Sequence, residues 1–261
     1  MNCELAGSGP YLTMIHGAGN NLGIWSKQVS ELAGHFSVLT YDIRGNGASG
    51  SGSYQVTPHI LVEDLRSLLE ALGISSSIVL GHSMGAEIAI RFYFDHPQMV
   101  DAIVICNSIM GALRSQRELF EMRIKRGDDS PEDDRVESDA DDKITRFFSP
   151  NLSQRKPEVI ALYKEIVFGN RIERTPQERM LLNGIIGRLI DEPSPNARRI
   201  ACPTLVINGS GDSLVRPSVV DSVGHHFDNI RAETLDTGHY PFLEMPDEFN
   251  RLIIGFAREL R

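Results

Sequence analysis

Six short apolar runs, separated by segments of helical pattern, constrain this chain's fold more than any other feature of its sequence. They are Tyr11–His16, Ser37–Asp42, Ser77–Gly81, Ala102–Cys106, Thr204–Asn208 and Arg231–Leu235. Most are nearly continuous in apolar residues. A strand with one wet face alternates apolar and polar side chains, whereas a strand covered on both faces has no polar face to show. The segments between them are amphipathic. Thr57-Pro58 supplies an N-cap and a proline at the first helical position, Leu61, Leu65, Leu68, Leu69 and Leu72 recur at helical spacing, and Gly73 closes the segment. Pro246 opens a last helix with Phe249, Leu252, Ile253 and Phe256 on one face. Strands that alternate with helices pair in parallel, and the crossovers cover the sheet. The expected class is α/β, with a mostly parallel central sheet and helices on both faces.

The alternation breaks between residues 111 and 196. That stretch is helical in pattern, rich in charge and without a convincing strand, so it reads as an insertion between the run ending at Cys106 and the one starting at Thr204. Its centre is acidic, with nine carboxylates between Asp128 and Asp142 against the single Arg135. The whole chain carries a formal charge of −9, so the remainder is close to neutral. Like charges with few apolar anchors oppose packing and favour a solvated loop. The run lacks the spacing of a calcium-binding loop.

Composition excludes several classes. A net negative chain is a poor match for nucleic acid. With 261 residues, of which 41% are hydrophobic, it can bury one large core. Cys3, Cys106 and Cys202 are odd in number and far apart, so they suggest no disulfide framework, and Cys106 reads as a buried free thiol. No apolar stretch approaches the roughly 18 residues of a membrane span, and no signal peptide is visible. The expectation is a cytoplasmic protein without a membrane span, acting on a small molecule.

The chemistry concentrates at Ile78 to Ala86, where an apolar run ends in Gly81-His82-Ser83-Met84-Gly85 and a helix-like stretch follows. This is the form of a nucleophile elbow, a sharp strand-to-helix turn that lifts a serine into a cleft. Side chains at positions 81 and 85 would collide with the neighbouring strand and helix. The Met84 N–H, at a helix N-terminus, can face a developing negative charge.

A serine hydroxyl needs a general base. His239 follows the last run, and Asp212 follows the run Thr204–Asn208, so both reach the carboxyl edge of the sheet, where Ser83 also lies. Asp212 would hold the tautomer that leaves His239 Nε2 free. Asp236 and Asp101 are weaker competitors for the acid. The loop after the first run, His16-Gly17-Ala18-Gly19-Asn20, should supply a second oxyanion donor, with the Ala18 N–H preferred and Gly19 possible. His16 and His82 read as bracing residues, and Asp42, Arg44 and Ser49 as supports of the turn around Gly45 and Gly47. His225 and His226 read as surface residues. No metal or cofactor site is expected.

Four patterns in this order resemble the α/β-hydrolase fold superfamily: H-G-A-G at 16–19, D-I-R-G-N-G-A-S at 42–49, G-H-S-M-G at 81–85, and G-S-G-D at 209–212 with G-H-Y-P-F-L-E-M-P at 238–246. The resemblance implies a Ser83-Asp212-His239 triad and a core formed by 1–110 and 197–261. It implies a helical cap at 111–196, between core strands six and seven. Ala86 stands where many relatives have a second glycine. About ten residues precede the first run, where relatives usually have a hairpin, so the first edge strand is expected to be missing or shortened. Met110, Leu113, Leu119, Phe120, Met122, Phe147 and Phe148 are expected to form the cap core, with some lining the substrate pocket.

The leading expectation is a cofactor-independent serine hydrolase of an ester or lactone of a small, largely apolar molecule. A carbon–carbon bond hydrolase of the meta-cleavage type would use the same triad. A ligand receptor on a hydrolase scaffold is a further alternative. Dehalogenases and epoxide hydrolases of this resemblance place Asp where this chain has Ser83.

Overall fold

Each of the six apolar runs forms a strand, and a seventh precedes them. The structure is a computed structural model describing residues 1–50, 56–115, 140–169 and 193–260. Most of the acidic run, with Leu119, Phe120 and Met122, lies outside the described residues. The strands are β1 Cys3–Gly7, β2 Tyr11–Ile15, β3 Ser37–Tyr41, β4 Ser77–His82, β5 Val100–Cys106, β6 Thr204–Gly209 and β7 Ile230–Leu235. The helices before β5 are α1 Ser26–Leu32, α2 Pro58–Ala71 and α3 Met84–Asp95. Between β5 and β6 come α4 Ala140–Phe147, α5 Leu152–Arg155 and α6 Pro157–Lys164, with a π-helical turn at Glu165–Gly169. The chain then adds α7 Val219–Val223, α8 Pro241–Glu244 and α9 Pro246–Glu259.

The sheet order is β1-β3-β2-β4-β5-β6-β7. Every neighbouring pair is parallel except β1, which pairs antiparallel with β3 from Cys3 opposite Tyr41 to Gly7 opposite Ser37. The first edge strand is thus present and short. Its residues, exposed or half-buried, show no apolar run, which is why the periodicity misses it.

Alternate residues of the central strands feed two cores. Val79, Ile103, Ile105 and Val206 pack with Leu61, Leu65 and Leu69 of α2 and Ile88 and Phe92 of α3. Ile78, Leu80, Val104, Leu205 and Ile207 pack with Leu32 of α1 and Phe249, Ile253 and Phe256 of α9. Helices therefore cover both faces, and the lack of alternation in these runs follows from the double burial. The Thr57 hydroxyl accepts the Ile60 N–H at 3.3 Å and Pro58 opens α2, so the N-cap read from sequence is the one formed.

From β2 the chain steps outward to β3, then returns to place β4 on the other side of β2. The loops leaving β2 and β4 therefore diverge and leave a crevice at the carboxyl edge, where an open α/β sheet binds ligands.

Candidate active site

Ser83 joins β4 to α3 with φ 51° and ψ −116°, a conformation that costs a residue with a Cβ and persists only where its surroundings enforce it. The enforcement is steric. A Cβ on Gly81 would lie 2.3 Å from the Gly85 carbonyl oxygen, and one on Gly85 would lie 2.3 Å from that of Ile15. With glycine at both places α3 starts directly against β2 and β4. Ser83 is half-buried while its neighbours His82 and Met84 are buried. The Met84 N–H opens the helix and has no carbonyl one turn back to bond.

His239 lies on the loop after β7, and its Nδ1 donates to Asp212 Oδ2 at 2.7 Å. An ionised carboxylate only accepts, so the neutral ring carries its proton on Nδ1 and leaves Nε2 bare. Asp212 is fully bonded: Oδ1 accepts the N–H groups of Leu214 at 2.8 Å and Val215 at 3.1 Å, and Oδ2 also accepts Asn107 Nδ2 at 2.5 Å. Burial opposes its charge, but the His239 charge, the His239 hydrogen bond and the Asn107 amide outweigh it, so the Asp212 carboxyl lies below its ordinary value. The other candidate acids are elsewhere. Asp236 accepts the Ser210 hydroxyl at 3.2 Å on the surface, and Asp101 is exposed near the amino end of β5.

His82 connects the two loops. Its Nε2 donates to the His239 carbonyl at 2.8 Å, and its ring centroid lies 4.7 Å from that of His239. Burial, joined by the neighbouring His239, holds it well below the ordinary imidazole value, so it remains neutral and structural. The other backbone group of His239 is also held, since its N–H donates to the Phe147 carbonyl at 2.5 Å.

The loop after β2 completes the crevice. His16 Nδ1 donates to the Gly17 carbonyl at 2.8 Å and its Nε2 accepts the Ile43 N–H at 3.0 Å. Burial lowers its pKa to about 4, against the opposing pull of the Gly17 bond and the Asp42 charge. A Cβ on Gly17 would meet His82 Nδ1 at 2.8 Å, and Gly19 has φ 71°. Ala18 is half-buried between them. The 42–49 turn braces this loop: Asp42 accepts the N–H groups of Leu22 and Ala48, each at 2.7 Å, Ser49 donates to the Asp42 carbonyl, and Arg44 pairs with Asp64.

Three supporting residues escaped the sequence reading. Asn107 follows β5 with φ 46° and reaches Asp212. Buried Glu87 accepts the Ser108 hydroxyl at 2.5 Å and the N–H groups of Gly111 and Ala112, each at 3.0 Å, which fixes the chain just after β5. Burial raises its pKa against those bonds. The signal was its acidity in the otherwise apolar stretch Met84–Ile90. The third, Glu244, lies inside a motif already noted. Of the apolar candidates, Met110 and Leu113 are buried in the core that α2 and α3 share with the sheet, not in a cap core as expected, because the chain stays against that face just after β5. Phe148 is buried on the other face, while half-buried Phe147 sets its ring 5.6 Å from that of His239. Among the described residues no three His, Cys, Asp or Glu side chains converge as metal ligands would. A groove of about 790 Å³ lined by Phe36, Ile78, Pro203 and Phe256 sits at the amino ends of the strands, opposite Ser83, and takes no part in this site.

A family model described as alpha/beta hydrolase fold matches residues 10–246. An uncharacterized protein of Mycobacterium tuberculosis is 33% identical over 105 residues, which are 40% of this chain and about a third (31%) of that relative's length. The pimeloyl-[acyl-carrier protein] methyl ester esterase of Nitrosospira multiformis is 25% identical over 98% of this chain and 97% of its own. Among solved structures, the enol-lactonase from Burkholderia xenovorans LB400 superposes with a TM-score of 0.78 at 24% identity, covering 98% of this chain and 96% of that one.

Proposed function

On the premise that the chain belongs to the alpha/beta hydrolase fold family, we propose that it is a cofactor-independent serine hydrolase cleaving an ester or lactone of a small, largely apolar molecule. The observation that carries this reading is the buried Asp212–His239 pair, bonded at 2.7 Å and tied through His82 to the elbow that bears Ser83. The relative named for a methyl ester supports the reaction type, and a lactone is the cyclic form of the same bond.

His239 Nε2 takes the Ser83 proton as the hydroxyl oxygen attacks the carbonyl carbon. The N–H groups of Met84 and Ala18 stabilise the oxyanion in a site screened from water. The imidazolium, held by Asp212, then protonates the leaving oxygen. A water deprotonated by the same ring releases the acid and regenerates Ser83. Residues 111–196 act as a cap on a core of 1–110 and 197–261, and Phe147 walls the site beside His239.

The test is labelling with a fluorophosphonate followed by mass spectrometry. The adduct falls on Ser83, and Ser83→Ala loses both the label and ester turnover, by a factor on the order of 10⁴ or more. An adduct elsewhere, or near-native kcat in the folded variant, refutes the mechanism. A panel of esters against vinylogous 1,5-diketones then separates ester from carbon–carbon bond cleavage.

A further inference from the structure

A carboxylate outside the proposed triad fastens the loop of His239 to the inserted segment. Glu244 ends α8 and is 2% exposed. Its Oε1 accepts the Gly238 N–H at 2.8 Å, and both oxygens lie 3.3 Å from the Ser149 nitrogen. Gly238 immediately precedes His239, and Ser149 lies two residues beyond Phe147, whose carbonyl accepts the His239 N–H. The two backbones are in contact here, since a Cβ on Gly238 would lie 2.3 Å from the Phe147 carbonyl oxygen. Lys156 Nζ donates to the Glu244 carbonyl at 2.6 Å, and Ser213, next to Asp212, donates to the Arg146 carbonyl at 2.7 Å. Phe148 stacks on Tyr240 at 5.0 Å.

A buried carboxylate is costly and is retained where it satisfies donors that would otherwise be orphaned. Here the donors are one N–H from the insertion and one from the loop of the base. Burial raises the Glu244 pKa, against the bonds from Ser149 and Gly238.

We propose that Glu244 is a positioning residue for His239, joining residues 147–149 and 238–239 into one unit so that the base is in register only while the insertion is docked. The proposal rests on the reading of His239 as general base. With Glu244 truncated, the Gly238 and Ser149 N–H groups lose their acceptor. The Phe147 carbonyl then separates from the His239 N–H, and the imidazole shifts relative to Ser83. A displacement near 1 Å costs about 10²-fold in rate.

The experiment uses the full chain with Glu244→Ala, Glu244→Asp and Glu244→Gln, reading kcat and KM on p-nitrophenyl acetate and amide hydrogen exchange at 149, 238 and 239. In the Ala variant kcat falls about 10- to 100-fold with KM within about threefold, and protection at all three amides is lost together while that of β4 persists. The Asp variant, which keeps the charge but is too short for both donors, shows the same pattern more weakly. Its result stands if the Ala variant does not fold. The Gln variant keeps an acceptor oxygen and recovers most of the rate. A folded Ala or Asp variant with native kcat, or one that loses protection at 149 but not at 239, overturns the proposal, as does a Gln variant as impaired as Ala. The exchange measurement reads the coupling independently of catalysis. Failure of Ser83 to label therefore sinks the serine mechanism without being confused with failure of the coupling.

Discussion

Replacing Asn107 by glycine tests how far Asp212, the proposed acid, depends on a neighbour that bonds its carboxylate. The Asp212 side chain is 0% exposed, and the Asn107 amide is one of its four hydrogen-bond donors. With no water in the space the side chain leaves, the loss approaches the value of a bond to a charged group, about 1.5–3 kcal/mol, and a water bonded there lowers it. The backbone contributes separately. Asn107 has φ 46°, which costs most residues with a Cβ about 1–2 kcal/mol, Asn less, and glycine nothing. Asn107→Gly therefore removes the bond and relaxes the backbone, for a net loss of about 1–3 kcal/mol. Asn107→Ala loses about 1 kcal/mol more, and the difference between the two reads the strain. The lost bond favours the charged carboxylate, so its removal raises the Asp212 pKa, the ionised acid survives over a narrower range, and the rate falls first on the acidic side. If about half of the bond's worth is expressed in the transition state, kcat at neutral pH drops by about 4- to 13-fold. Urea melts and kcat-against-pH profiles on a p-nitrophenyl ester check both effects. A folded Asn107→Gly protein with native kcat and an unmoved acidic limb would refute the reasoning.

Asp212→Asn should lower kcat by about 10⁴ by permitting the wrong His239 tautomer, and unchanged kinetics would point to another carboxylate. Gly85→Ala should destabilise by about 3 kcal/mol or more, because its Cβ would lie 2.3 and 2.6 Å from the Ile15 and His16 carbonyl oxygens; a thermal melt within a degree or two of the parent contradicts the elbow sterics. His16 titrates at about 4 folded against 6.5 for the free side chain, so between those values only the unfolded chain binds its proton. Its stabilisation is full above the unfolded value and drains as pH falls, by about 2 kcal/mol on reaching about pH 5. His16→Gln should flatten that dependence by this amount in urea titrations, and an unaltered slope excludes His16 as its source. Phe147→Ala should shift preference toward bulkier acyl groups in an ester series, whereas an unchanged ranking removes Phe147 from the pocket wall.

What the sequence alone determined was whatever local physics specifies. Double burial leaves its mark on consecutive residues, so Ile78–Leu80 and Leu205–Ile207 are readable as strands without a partner in view. The elbow is local at Gly81, whose Cβ would meet backbone atoms of Gly85 and Ala86 in the same segment, whereas at Gly85 it is the end of β2 that excludes a side chain, through the Ile15 and His16 carbonyls. The β1 strand was not legible, because Cys3–Gly7 is held by ladder bonds to β3 rather than by an apolar pattern of its own. The tertiary structure alone decided the strand order that opens the crevice between the ends of β2 and β4. It also placed the Asn107 amide on Asp212 and the Glu244 carboxylate on the Gly238 N–H. These are contacts between groups that compete for partners across the whole chain. A hydrogen bond such as the one from Asn107 to Asp212, 105 positions apart, leaves no periodicity behind and exists only once the sheet has brought its loops to one edge.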